Sequence, residues 1–571
     1  MPTRGSNKRQ YVKDLPFEVG LMGLNTSRPC NLISDQELVE ATNWWINQFG
    51  EFEVRPGFTS ILTNKLSSSS VKSIFYYEYS DEILFVCDVY LYAVASSGGD
   101  PRLLGEVNSY DDTSNITAVN FNENLYIASG GPLQVYDGSI LTDVIAQEFS
   151  FSAPEEAGCV AVHMNRLWVG QYNGDNVYYS GVEDATDWGR DGAEAEEDEG
   201  LLLNGGSFSL DRDGDVILAT STYLERLFFL KGSHVNTVHE IMGTSADDFY
   251  PKRKSSGLSA SSAHLVAETD KLMYFGNQTG VYSMQVVDQL GNVESLPESL
   301  KVGKIYQAST PSGMTFSERY GYLFIINEDG ELLALHRGTG AWFLLIIDAF
   351  NATYVAGINR ELYVGDSTGQ IYKFDESINE DDGSNYPHHF KTKTYFSETT
   401  QKAWIERIYA FITYIDTGNI DFTAYADFGF TKLRTISKAG TGSYEYGFDG
   451  DMGFDEGADP EEEDSYEGAY SALTTYDFND IVKSGDSYFV SLQDANTGNA
   501  LTESAWWEEV EGEGTEHGFD EQPESSTLSF LVRRSCNNFC FEIKGSKRIK
   551  VLSLVMRGTG LYRAKTKGGS E

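Results

Sequence analysis

The chain has 571 residues, enough for one large repeat domain with appendages or for several ordinary domains. Aromatic residues make up 13% of it and there are only 13 prolines, which excludes a disordered chain and points to a β-rich one. The net charge of −44, from 42 Lys and Arg against 86 Asp and Glu, excludes tight non-specific binding of nucleic acid, because few cations can displace phosphate counterions.

The first residues, "MPTRGSNKRQY", are polar and basic with no apolar core of a signal peptide, and no run approaches a membrane span. Neither signal-driven secretion nor membrane insertion is expected. The five cysteines (Cys30, Cys87, Cys159, Cys536, Cys540) are odd in number and scattered, which fits synthesis in a reducing compartment. Cys536 and Cys540 lack the second Cys or His pair that zinc would need, so no metal or cofactor is expected.

Residues 1–65 read as an arm with a short helix. In "SDQELVEATNWWINQFG", Ser34 and Glu37 have the spacing of a capping box, and Leu38, Ala41, Trp45 and Phe49 fall on one helical stripe. Trp44 would lie about 100° to one side of Trp45. Gly50 ends the segment, and Arg55-Pro56-Gly57 turns it into a strand. A helix so apolar is either buried in its own subunit or shared with a neighbour. The second alternative makes Trp44, Trp45 and Arg55 candidate intersubunit contacts.

Residues 66–380 repeat one phrase: an alternating apolar strand, a polar turn, an aromatic-aliphatic strand, a further turn and strand. Copies begin at Ile74, Ile116, Cys159, Val216, Ala263, Met314 and Ala352. The first three starts lie about 42 residues apart, which predicts the four-stranded blades of a β-propeller with six or seven blades. An acidic insertion at 183–205 lengthens one copy; its residues 183–199 hold nine Asp and Glu against Arg190. "DRDGD" at 211–215 opens like a calcium loop, but the twelfth position from Asp211 is Thr222 rather than a closing Glu, so a turn is expected.

Residues 381–437 and 527–571 read as longer amphipathic strands of one antiparallel β-sandwich. Between them lies an insertion, 438–526, with 24 Asp and Glu against Lys438 and Lys483. It contains a small module, 474–510. The eight histidines form no triad, and G-x-S-x-G, P-loop and dinucleotide motifs are absent, so no enzymatic activity is expected.

Two family resemblances follow from particular residues. The module carries Tyr476, Asp480, Val482 and Tyr488 in a Y-x-x-x-D-x-V-x-x-x-x-x-Y pattern, then "NTG" and Trp506-Trp507. It is similar to small chitin-binding carbohydrate modules, although "SLQD" stands where that family has paired aromatics. The resemblance implies glycan stacking on Tyr476, Tyr488, Trp506 and Trp507, against a purely structural role for the same aromatics. The segment "GLNTSRPCNLISDQELVEATNWWINQFGEFEVRPGF", with its "GLNT", Asn43, Gly50 and Arg55-Pro56-Gly57, resembles the N-terminal region of tail nozzle proteins of short-tailed phages, also called tubular tail or packaged-DNA stabilisation proteins. That family implies a virion tail protein made in the host cytoplasm and assembled as a hexameric ring. It would dock portal, adaptor and fibre proteins while double-stranded DNA passes through without specific binding. The alternative is a glycan- or receptor-binding propeller that uses the 474–510 module.

Overall fold

The computed structural model describes residues 13–559 apart from 18–19, 67–68, 109–114, 149, 190–203, 287–292, 397–402, 415–418, 427–428, 430, 440–465, 477–480, 485–486, 492–495, 499, 502–506, 511–524, 537 and 547. Its mainly β architecture begins with seven four-stranded antiparallel sheets at 71–106, 117–143, 157–209, 216–256, 266–297, 311–345 and 352–375. Their inner strands pack in a closed circle, the first against the seventh, which makes a seven-bladed β-propeller. The second strand of each blade is buried on both faces because neighbouring blades cover both, as in Glu82–Cys87 and Arg226–Gly232. Inner strands keep an alternating pattern, most regularly Val216–Tyr223.

Four blades join their first two strands with the same turn. The pairs Asn122-Glu123, Met164-Asn165, Leu224-Glu225 and Asn359-Arg360 all have positive φ at both central positions, which is the type I′ geometry that matches strand twist. Three pairs contain Asn, which tolerates that region; Leu224-Glu225 has neither Asn nor Gly.

The seventh blade is completed from the other end of the chain. Gly57–Ser60 pairs antiparallel with Ile371–Asp375, so an N-terminal strand supplies the outermost position and closes the ring. A Cβ on Gly57 would collide with the Glu380 backbone, which is why this strand enters through glycine.

The remaining strands form a two-sheet sandwich around a shared core that includes Ile408, Phe422, Phe541, Ile543, Leu554 and Met556. The first sheet runs Trp44–Ile46, Phe52–Val54, Ile549–Thr559, Ala403–Tyr414, Ser525–Cys536, with Lys13–Phe17 also on Ile549–Thr559. The second runs Leu38–Thr42, His388–Thr392, Asn538–Gly545, Asn419–Ala426, Thr431–Ala439. Leu38–Thr42 also pairs in parallel with the outer strand of the sixth blade through Thr42 and Leu344, so one hydrogen-bonded sheet continues from propeller into sandwich.

The helix expected at Ser34 to Phe49 is therefore two strands. Its capping contacts do form: the Ser34 N–H donates to the Glu37 carboxylate at 2.8 Å and the Gln36 N–H to the Ser34 hydroxyl at 3.4 Å. They close a turn, after which the chain pairs as Leu38–Thr42, bends at Asn43 (φ 60°) and pairs again as Trp44–Ile46. All of Trp44–Ile46 is buried, because sandwich and propeller cover opposite faces, and that erased the period-two signal of a strand.

Candidate functional site at the propeller–sandwich junction

The three candidate contacts of the N-terminal segment, Trp44, Trp45 and Arg55, converge on the seam between the two units, and none of them reaches the surface, whereas Phe49 is exposed. Arg55 is fully buried and all five of its N–H groups have acceptors. Nε donates to Asn43 Oδ1 (3.0 Å); Nη1 to Pro56 O (2.8 Å) and Asp381 Oδ1 (2.8 Å); Nη2 to Ile346 O (3.1 Å) and Asp381 Oδ2 (2.6 Å). Burial opposes its charge, but the Asp381 carboxylate outweighs this and holds the guanidinium above its ordinary pKa. The Tyr386 ring lies 3.9 Å from the guanidinium carbon, and its hydroxyl donates to the Arg55 carbonyl. Burial pushes the Tyr386 phenol up to about 12, with Arg55 opposing the shift.

Asn43 serves the same seam from the bend between its two strands. Its Oδ1 accepts from Arg55 and from the Ile346 N–H (2.8 Å), while Nδ2 donates to the Pro387 carbonyl (2.8 Å). One residue thus ties the N-terminal strands to the sixth blade and to the start of the sandwich. A second arginine repeats the device: Arg548 donates to Glu53 (2.9 Å), to the Val54 carbonyl (3.2 Å) and to the Glu376 carbonyl (2.6 Å). Glu53 also accepts from the Trp45 indole N–H (3.1 Å).

The two tryptophans fill the space between these ion pairs. Trp44 stacks on Phe52 (4.6 Å) and meets His388 and Phe390 edge-on, whereas Trp45 stacks on Tyr322 (5.6 Å) and meets Phe374 edge-on. With Trp44 0%, Trp45 2% and Arg55 0% exposed on a single chain, the expectation that they touch a neighbouring subunit is corrected: their partners are all internal.

The propeller's central channel is closed at the mouth where the inner strands begin. The short 3-10 turn Ala263–Leu265 precedes the fifth blade, yet His264 Nε2 donates to the Ile116 carbonyl (2.9 Å) ahead of the second blade and lies 3.3 Å from Ser73 Oγ of the first. Its ring also meets Tyr354 of the seventh blade edge-on at 5.0 Å, and Ser262 Oγ donates to Asn115 Oδ1 (3.0 Å). The fifth blade can reach these three only across the axis. Burial keeps the imidazole below its ordinary pKa, hence neutral. Among the described residues, the groups that meet at this mouth are neutral and polar.

"DRDGD" is a turn, and a side chain occupies the place a cation would take. The buried Lys231 ammonium donates to the Asp211 carbonyl and to Asp213 Oδ1, both at 2.6 Å, while Asp215 accepts from the N–H groups of His234, Val235 and Asn236. Among the described residues no group of three or more His, Cys, Asp or Glu is placed to hold a metal. Cys540 is buried and its thiol is pushed up to about 12, which makes it a poor ligand or nucleophile.

In the inserted module, Tyr476 is 2% exposed and packs with Val482, Tyr470 and Phe489 as the module's core. It accepts a hydrogen bond from the Ser471 N–H (2.8 Å), so its expected role as a sugar platform is corrected to a structural one. Tyr488 and Trp507 lie on the paired strands Ser487–Ser491 and Trp507–Val510, and Trp506 and Asp480 lie outside the described residues. Sequence reasoning missed Asp381, Tyr386 and Arg548, which lie in the polar stretches "NEDDGSNYP" and "GSKRIK" and stand in no motif, so no local signal marked them.

The chain matches no family model and no curated protein. Solved structures similar to it include virginiamycin B lyase from Staphylococcus aureus, at 9% identity over 55% of this chain and 98% of that one, with a TM-score of 0.40. BamB from Moraxella catarrhalis is 11% identical over 57% and 90%, with a TM-score of 0.35. The Pan2 WD40 domain of Neurospora crassa is 8% identical over 55% and 94%, with a TM-score of 0.36. At these values the likeness extends to the propeller fold alone and carries nothing about activity.

Proposed function

We propose that the chain is a structural protein of a short-tailed phage tail, a nozzle subunit that assembles as a ring around the path of the DNA. The observation that carries this reading is the use made of the N-terminal signature. Asn43, Gly50 and Arg55-Pro56-Gly57, on which the resemblance to tail nozzle proteins rests, belong to the segment that staples propeller to sandwich. A rigid two-part subunit of this kind suits a mechanical role. Carboxylates facing the lumen would keep the duplex mobile by repulsion, while propeller faces dock adaptor and fibre proteins. The closed mouth at His264 is consistent with DNA passing between subunits, because the propeller's own axis is occupied.

Electron micrographs of the purified chain, and immunogold labelling of phage particles, test this. Closed rings with an open lumen and label at the tail are expected. Monomers at tens of micromolar, with no label on particles, would refute the proposal.

A further inference from the structure

The outermost strand of a sheet carries outward N–H and C=O groups that pair with another chain unless the edge is short, charged or broken by proline. Several edges of this protein have such protection. The outer blade strands Leu141–Asp143 and Gly57–Ser60 have three and four residues. Tyr250–Ser256 carries Pro251 and the cations Lys252, Arg253 and Lys254, and Val293–Pro297 carries Glu294 and ends in proline. In the sandwich, the edge strand Thr431–Ala439 carries Lys432, Arg434 and Lys438.

Ser525–Cys536 lacks these devices over most of its length. It has twelve residues, and its first eight, "SSTLSFLV", include no charge, glycine or proline. It pairs with Ala403–Tyr414 on one side and, among the described residues, with no strand on the other. A long, uncharged edge of this kind is a ready template for strand addition.

The opposite margin of the same sheet is open as well. Four of its strands run side by side in the order Lys13–Phe17, Ile549–Thr559, Ala403–Tyr414, Ser525–Cys536, and each neighbouring pair is antiparallel. Among the described strands, Lys13–Phe17 pairs with Ile549–Thr559 alone. Three antiparallel steps leave the two outermost strands running in opposite directions. A second copy set beside the first in the same orientation therefore meets it with an antiparallel pair. Rotation about an axis along the strands preserves that alternation, so the contact can repeat around a ring. The heights match too. Phe17 is level with Leu528 through Leu554 and Ala410, and Lys13 is level with Arg534 through Gly558 and Ile405.

We propose that Lys13–Phe17 of one copy adds to the Ser525–Cys536 edge of the next, so that neighbouring sandwiches share one continuous β-sheet. This names the contact within the ring proposed above and rests on that reading. The insertion that precedes this edge in sequence is a poorer donor. Its flanks, 440–465 and 511–524, are rich in acids and glycine, which are depleted in strands.

Size-exclusion chromatography of the full chain separates rings from monomers, and amide hydrogen exchange is read in both fractions. Outward N–H groups of Leu528–Arg534 should exchange about tenfold more slowly in rings, because they gain partners there. A chain lacking residues 1–17, checked for folding by circular dichroism, should stay monomeric. If the shortened chain does not fold, exchange in the full chain decides alone. Rings in which Leu528–Arg534 exchanges as in the monomer would overturn this inference and leave the nozzle reading standing. Rings formed by the shortened chain would do the same. Absence of rings from the full chain would overturn both.

Discussion

Replacing Asp381 with Asn leaves the shape of the junction intact and removes the carboxylate charge that pairs directly with Arg55. Both side chains are shielded from water, at 0% and 1% exposure, and two of the five guanidinium hydrogen bonds run to this carboxylate. Removing one member of such a buried pair destabilises by about 3–5 kcal/mol, because the partner's charge stays buried without compensation. Against a total stability of about 5–15 kcal/mol for a typical domain, that is a large fraction. Arg55→Met should fall in the same range, while Arg55→Met/Asp381→Leu removes both charges and should destabilise by less than the sum of the singles. Urea unfolding followed by tryptophan fluorescence suits the question, since Trp44 and Trp45 lie in this seam. An Asp381→Asn variant within about 1 kcal/mol of the parent, or strict additivity in the cycle, would show that the pair does not hold propeller and sandwich together.

Other outcomes follow from features elsewhere. Trp44→Ala should destabilise the single chain by about 3–5 kcal/mol, as for other buried aromatics, and chemical denaturation of dilute protein should show the full loss without any contribution from assembly. Gly57→Ala should displace the closing strand of the seventh blade, seen as faster amide exchange in Ile371–Asp375 than in the second blade. Leu224→Asn with Glu225→Gly should stabilise the fourth blade by about 1 kcal/mol, by fitting the positive φ values of that turn, and a higher urea midpoint would register it. Four histidines (His163, His239, His264 and His336) are held by burial below their ordinary pKa. Above about pH 6.5 neither folded nor unfolded chain protonates them; below it the unfolded chain takes up protons that the folded one refuses. Stability should therefore fall as pH drops from about 6.5 toward their folded values, and His264→Gln should reduce that slope.

The propeller was legible in the sequence because each blade repeats its strand alternation and its Asn- and Asp-rich turns, the first three at a spacing near 42 residues. Where it was not legible, tertiary contact had replaced local pattern. Ser34 and Glu37 do make a capping contact, yet what decides the conformation after them is pairing with Phe390, far along the chain, and with Val54 across a short hairpin. Trp44 and Trp45 face opposite sides and are both buried, so no periodicity distinguished strand from helix. Tyr476 matched a sugar-binding pattern that a small core also satisfies, since a two-residue strand needs one large side chain to anchor it. Arg55 stood out as part of a turn motif, but its partner Asp381 lies 326 positions away and nothing local announces it.

Closing the seventh blade with Gly57–Ser60 has a consequence for how the protein is made. That strand leaves the ribosome early, while Ile371–Asp375 follows roughly 300 residues later. At about 5–20 residues per second, its edge waits on the order of tens of seconds for a partner. Leu38–Thr42 waits as long for His388–Thr392, and Phe52–Val54, which can pair early with Trp44–Ile46, waits longer for Ile549–Thr559 on its other edge. The nascent chain thus keeps these strand edges open through most of translation, which makes holdase chaperones natural companions of its synthesis and sets a clock on when the first complete subunit can exist.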